Sequence, residues 1–161
     1  MSSLFQRLAP PDALRSLGPE ETPRVTTMEL FFDLVYVFTI IQLSHYLLEH
    51  ASALGALEYA TLFAAVWWAW NYTAWAANWL NPDHPSGRVL MIVLMGCALV
   101  MAIAAPQAFG ARAGLFALAY VAMALIRAGY MALVFRGQVM GRNYAQLGAW
   151  SAISGVFWIA G

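Results

Sequence analysis

From Met28 onward the chain falls into long apolar blocks separated by short polar breaks. Four blocks cover residues 28–49, 55–80, 88–106 and 112–135, and a fifth runs over 143–161. Each approaches or exceeds the ~20 residues that carry a helix across a bilayer core of ~30 Å. None alternates with period two over ~10 residues, as a transmembrane strand would. The pattern predicts an all-α, polytopic transmembrane helical bundle.

The breaks are HASAL, NPDHPSG, PQAFGA and RGQVMG. Links this short force consecutive spans to run antiparallel, giving about five antiparallel membrane helices. Pro82 and Pro85 make the second break a turn. Gly137 and Gly141 have GxxxG spacing but fall in the fourth break, where no helix seam is expected. Gly114 and Gly129, among the alanines of the fourth span, would allow close helix approach. The fifth span, YAQLGAWSAISGVFWIAG, has barely the length to cross, and its abrupt end predicts a piece of a longer protein.

Residues 1–27 have no apolar core and hold Pro10, Pro11, Pro19 and Pro23, which excludes a signal peptide. They are expected to form a solvated cytoplasmic tail with at most one helical turn, around Asp12 to Leu17.

Composition agrees with a membrane chain: 62% hydrophobic and 10% charged, with mean hydropathy +0.66. All eight basic residues are arginine. With the N-terminus cytoplasmic, Arg7, Arg15, Arg24, Arg88, Arg136 and Arg142 lie inside and only Arg112 outside, as the positive-inside rule requires. No basic patch interleaved with aromatics points to nucleic acid. Cys97 is the only cysteine, so no internal disulfide forms and no cofactor or metal ligation through sulfur is implied.

Polar residues within the spans carry the functional question, because ionisable groups there are costly. On the first span Glu29, Asp33, Tyr36 and Ser44 share one face, and Gln42, His45 and Glu49 lie opposite. Glu29 borders the cytoplasmic interface. Asp33, a turn deeper, needs a partner. On the second span Asn71, Trp75 and Asn78 share a face, and a water-interface belt accounts for Trp79 but not for Trp67, Trp68 and Trp70. On the fourth span Arg127 reaches the depth of Asp33, and the two are expected to pair, with Glu29 or the Asn71–Asn78 face nearby. The candidate polar cluster or ion site is therefore Glu29, Asp33, Asn71, Asn78 and Arg127. His45 and Glu49, with His50 and Glu58 close in sequence, have metal-compatible spacing at the outer interface, where solvation is the simpler account. Neither GxSxG, HExxH nor a phosphate loop occurs, so no enzyme is expected.

The stretches ELFFDLVYVF, WWAWNYTAWAANWLNPD and FALAYVAMALIRAGYMALVFRG, covering nearly everything from Arg24 on, resemble the bacterial low temperature requirement protein A family. That resemblance implies a multi-pass bacterial inner-membrane protein, usually much longer, named for cold growth and without an established biochemical activity. Arg24 with Phe31-Phe32-Asp33 also resembles the Arg and Phe-Ser-Asp pattern of TMEM-type potassium channels, with Phe32 in the serine's place and a different spacing.

Transport or ion permeation through the cluster is the leading expectation, with Asp33 as cation or proton site and Arg127 tuning it. A non-transporting membrane scaffold or cold-adaptation factor, in which the cluster only locks helices, is the alternative. A lipid enzyme using His45 and Glu49 ranks last. Expected partners are the lipid bilayer and either a second copy or a missing C-terminal half.

Overall fold

The computed structural model describes residues 13–15, 26–81 and 84–160. Five α-helices make up nearly all of it: α1 Thr27–Glu49, α2 Ala53–Trp79, α3 Pro85–Ala104, α4 Ala113–Val134 and α5 Val139–Ala160. A 3-10 turn, Ala105–Gln107, extends α3. Three stretches are both long and apolar enough to cross a membrane: Thr27–Glu49, Pro85–Gln107 and Ala113–Val134.

Local chemistry sets the helix starts. Thr26 and Glu29 form a capping box on α1: the Glu29 N–H donates to Thr26 Oγ1 (3.3 Å) and the Thr26 N–H to Glu29 Oε2 (2.7 Å). Ser52 caps α2 by accepting from the Gly55 N–H at 3.0 Å. A Cβ at Gly55 would collide with the His50 carbonyl, so the tight link into α2 requires glycine. His84 caps α3, and Pro85 opens the helix instead of preceding it, because the first helical N–H needs no partner. The third span thus starts three residues before the expected Arg88. Likewise α5 starts at Val139, inside the break expected to run to Gly141. Gly137, at φ 86°, makes the turn between α4 and α5 alone.

Contacts along the seams fix the topology. Tyr46 meets Glu58 near one end of the α1–α2 pair and Asp33 meets Trp70 farther along, so the helices are antiparallel. Ser86–Tyr130 and Arg112–Ile103 set α3 and α4 antiparallel in the same way. Helices α1, α2, α4 and α3 form a closed ring of four, each packed on its two neighbours, and α5 covers the outside of α4. Across the centre, the Tyr36 hydroxyl donates to Met123 Sδ at 3.3 Å, surrounded by buried Leu43, Leu94, Met101 and Met131. The buried threonines return their hydroxyls to their own helices, Thr39 to the Val35 carbonyl and Thr73 to the Ala69 carbonyl.

The tightest seam joins α4 and α5. Gly141, Gly148 and Gly155 repeat every seven residues on α5 and face Phe135, Ala128 and Val121, which repeat every seven on α4 in reverse order. A Cβ at Gly141 would strike the Phe135 carbonyl, and one at Gly155 would sit 2.8 Å from Val121 Cγ1. Gly141 therefore belongs to a helix seam, contrary to its assignment to a loop. Gly114 and Gly129 have open space where their Cβ would be and mark no close approach.

Of the N-terminal tail, Ala13 to Arg15 are described, and they are docked, not solvated. Leu14 bridges antiparallel to Leu80. The Arg15 N–H donates to the Trp79 carbonyl (3.0 Å) and the Asn81 N–H to the Ala13 carbonyl (2.8 Å). Ala13 is completely buried. The expected helical turn from Asp12 to Leu17 lies otherwise outside the described residues, as do Arg7, Arg24, Pro82 and Asp83.

Candidate functional site

The expected cluster of Glu29, Asp33, Asn71, Asn78 and Arg127 does not assemble. Glu29 spends its carboxylate on the capping box and stands 3.9 Å from the Arg15 guanidinium. Asp33 is exposed on the rim of the α1–α2 groove, where the Trp70 Nε1–H donates to its Oδ1 at 2.9 Å. Asn78 is exposed and Asn71 half-buried, and among the described residues neither side chain makes a hydrogen bond. Asp33 and Arg127 form no ion pair among the described residues.

The two side chains stand at similar levels along their helices but point in different directions. Asp33 lies six residues inside the start of α1 and Arg127 seven before the end of α4, about 9–10 Å from the same end at ~1.5 Å per residue. Asp33 and its partner Trp70 look outward from the α1–α2 seam. Arg127 instead points between α4 and a neighbouring face of α2, the one that carries Ala69 and Thr73.

Arg127 is 4% exposed. Its Nη1 donates to Thr73 Oγ1 (2.9 Å) and to the Ala69 carbonyl (3.2 Å), tying α4 to α2. The guanidinium carbon lies 5.3 Å from the centre of the Tyr72 ring, within cation–π range. Its Nε is fully buried without a hydrogen-bond partner. Alongside opens a cavity of about 270 Å³ between α2, α4 and α5. Tyr72, Tyr120, Trp68 and Trp150 supply aromatic walls, Val121, Ala124 and Leu147 apolar ones, and Ser151 and Ser154 hydroxyls. Trp68 and Trp150 are largely exposed and form the rim. The site thus holds one cation, no carboxylate, and hydroxyls on the wall contributed by α5. Only Arg127 among the expected residues belongs to it. Sequence spacing gave no sign of Ser151, Ser154 or Tyr120, since which side of α4 faces α5 depends on the glycine seam.

The midplane tryptophans separate by role. Trp67 and Trp70 continue a file of rings from Tyr59 and Phe63 along α2, with centroids 5.3–6.2 Å apart. Trp68 packs on Tyr72 at 5.4 Å, beside the cavity. At the far end His45 and Glu49 are exposed, whereas His50 stacks on Tyr46 at 4.3 Å and the Tyr46 hydroxyl donates to Glu58.

A family model described as bacterial low temperature requirement A protein matches residues 24–161. An uncharacterized protein of Rhizobium meliloti (strain 1021) is 40% identical over 151 residues, covering 92% of this chain and 36% of the relative. The chain thus spans little more than a third of that relative's length. No solved structure matches.

Proposed function

The chain belongs to the bacterial low temperature requirement A family, and from that premise we propose that this membrane protein takes part in solute transport or permeation, with the Arg127 cavity as its binding element. The observation that carries the reading is a guanidinium buried within a membrane span beside an open cavity, with one donor unmet. A charge so placed is expensive and needs a partner, and among the described residues no carboxylate supplies one. Under this reading the protein is a multi-pass, non-enzymatic component of the bacterial inner membrane, acting without a cofactor. Its partners are the bilayer and either a second copy or further segments of the longer protein.

Arginine placement supports a cytoplasmic N-terminus. Arg15, Arg88, Arg136 and Arg142 gather at the end of the bundle where α1 starts, and Arg112 lies at the other. Arg127 then lies in the cytoplasmic half, and the cavity runs from it across the middle of the bundle. Asp33 no longer acts with Arg127; it remains a separate carboxylate on the α1–α2 groove.

The scaffold reading also has an observation in its favour, because Arg127–Thr73 and Asp33–Trp70 each join two helices. Reconstitution of the full-length protein in liposomes separates the two. Transport predicts that Arg127→Gln abolishes solute flux while the protein still extracts and elutes as a folded species. A scaffold predicts no flux in the native protein, and loss of folded protein in the variant.

A further inference from the structure

We propose that the Arg127 cavity binds a small monoanionic molecule with an apolar body, a monocarboxylate being the model case. This deepens the transport reading and rests on it for the site's purpose, though not for its chemistry. One guanidinium offers one positive charge, so it matches a single anionic group. Nη1 is held by Thr73 and the Ala69 carbonyl, which fixes the plane of the fork. Nε is buried and unpartnered, so the guanidinium keeps hydrogen-bonding capacity that the protein does not meet. Hydrogen bonds from a guanidinium to a carboxylate are the strong kind, and Arg127 lines the cavity in which such an acceptor would sit.

The walls define the rest of the molecule. Four aromatic rings and four aliphatic side chains leave no second cation for a dianion. Ser151 and Ser154, six to nine residues inside the end of α5, add hydroxyls to the cavity wall for a second polar atom; the Ser154 hydroxyl donates to the Ser151 carbonyl and keeps its oxygen as an acceptor. About 270 Å³ is roughly the volume of nine waters at ~30 Å³ each. It lies just below the ~300–1,000 Å³ of drug-sized sites, so the occupant is small or is the end of something longer. The shared chemistry, an anionic head on an apolar body, has two sources: a dissolved carboxylate, or an anionic lipid entering between Trp68 and Trp150.

The test is equilibrium binding to the full-length protein in nanodiscs, by calorimetry, with benzoate as probe. Zwitterionic phosphatidylcholine discs are compared with discs containing phosphatidylglycerol. Saturable benzoate binding to the native protein is expected, weakened roughly tenfold or more by Arg127→Gln. Ala124→Phe keeps Arg127 and its Thr73 bond but fills the cavity, so it guards against misfolding of the arginine variant and is expected to abolish binding. Loss of benzoate binding only in phosphatidylglycerol discs, with that lipid retained in native mass spectra, assigns the site to a lipid head. Binding in both disc types assigns it to a dissolved anion. Absence of both benzoate and retained lipid overturns the proposal, as does equal binding by the native protein and Ala124→Phe. Binding without flux sinks the transport reading alone, and flux of other solutes without binding sinks this proposal alone.

Discussion

At the scale of single residues, Asp33 and Arg127 make opposite predictions. The Asp33 carboxylate accepts one hydrogen bond at an exposed rim, and an amide oxygen accepts equally well. Asp33→Asn is therefore expected to leave stability within about 0.5 kcal/mol, while Trp70→Phe, which leaves an acceptor unmet, costs about 1 kcal/mol. Detergent thermal melts of the two variants check this, and a large loss in Asp33→Asn would restore a buried ionic role. Thr73→Val removes an acceptor from Arg127 and is expected to cost about 1.5–3 kcal/mol, as for a hydrogen bond to a charged group. The depth of both ionisable groups was legible in the sequence, because residues are counted from a span's end. Their directions were not. The rotation of each helix about its own axis separates a salt bridge from two unrelated contacts, and the helices here are apolar on nearly every side.

Among the elements, the five helices, their order and their antiparallel links follow from block length and link length alone. The ends were misplaced where capping chemistry overrode composition. Pro85 opens a helix where a turn is expected, and Thr26-x-x-Glu29 is a capping box that fixes the start of α1. Replacing Thr26 by alanine is expected to cost about 1 kcal/mol, measured as a lowered melting temperature. The glycine seam gives a sharper test. Gly141→Ala forces Cβ against the Phe135 backbone and Gly155→Ala against a side chain that shifts more easily. Losses of about 1–3 kcal/mol are expected, larger at Gly141. Gly129→Ala meets open space, so the expected change is a gain of about 0.5–1 kcal/mol from helix propensity. Equal effects at Gly129 and Gly141 would contradict the seam. Its heptad was present in the sequence all along, but glycines on a helix mark an interface only once the facing residues are known.

For the whole molecule, the ring of four with α5 outside decides where polar groups find partners. Each ring helix shows the centre a narrow apolar stripe and the surroundings a broad one, so apolar periodicity was too weak to orient them. Topology is the prediction at this scale. Single cysteines placed at Arg112 and at Arg136, in a Cys97→Ser background, are expected to react with an impermeant thiol reagent from the periplasmic side only at 112. The reverse labelling would invert the bundle and put Arg127 in the outer half.

The glycine seam also bears on how the chain enters the bilayer. Helices α2 and α5 fall outside the stretches apolar enough to cross alone, α2 because of its Asn, Tyr and Trp content. Each follows a helix that does qualify, across a short link, and packs against it. The translocon would then release α4 and α5 as one closed hairpin, with the Phe135–Gly141 contact near the turn formed before α5 meets lipid. A bulkier residue at Gly141 would be felt first as failed insertion, and only afterwards as lost stability.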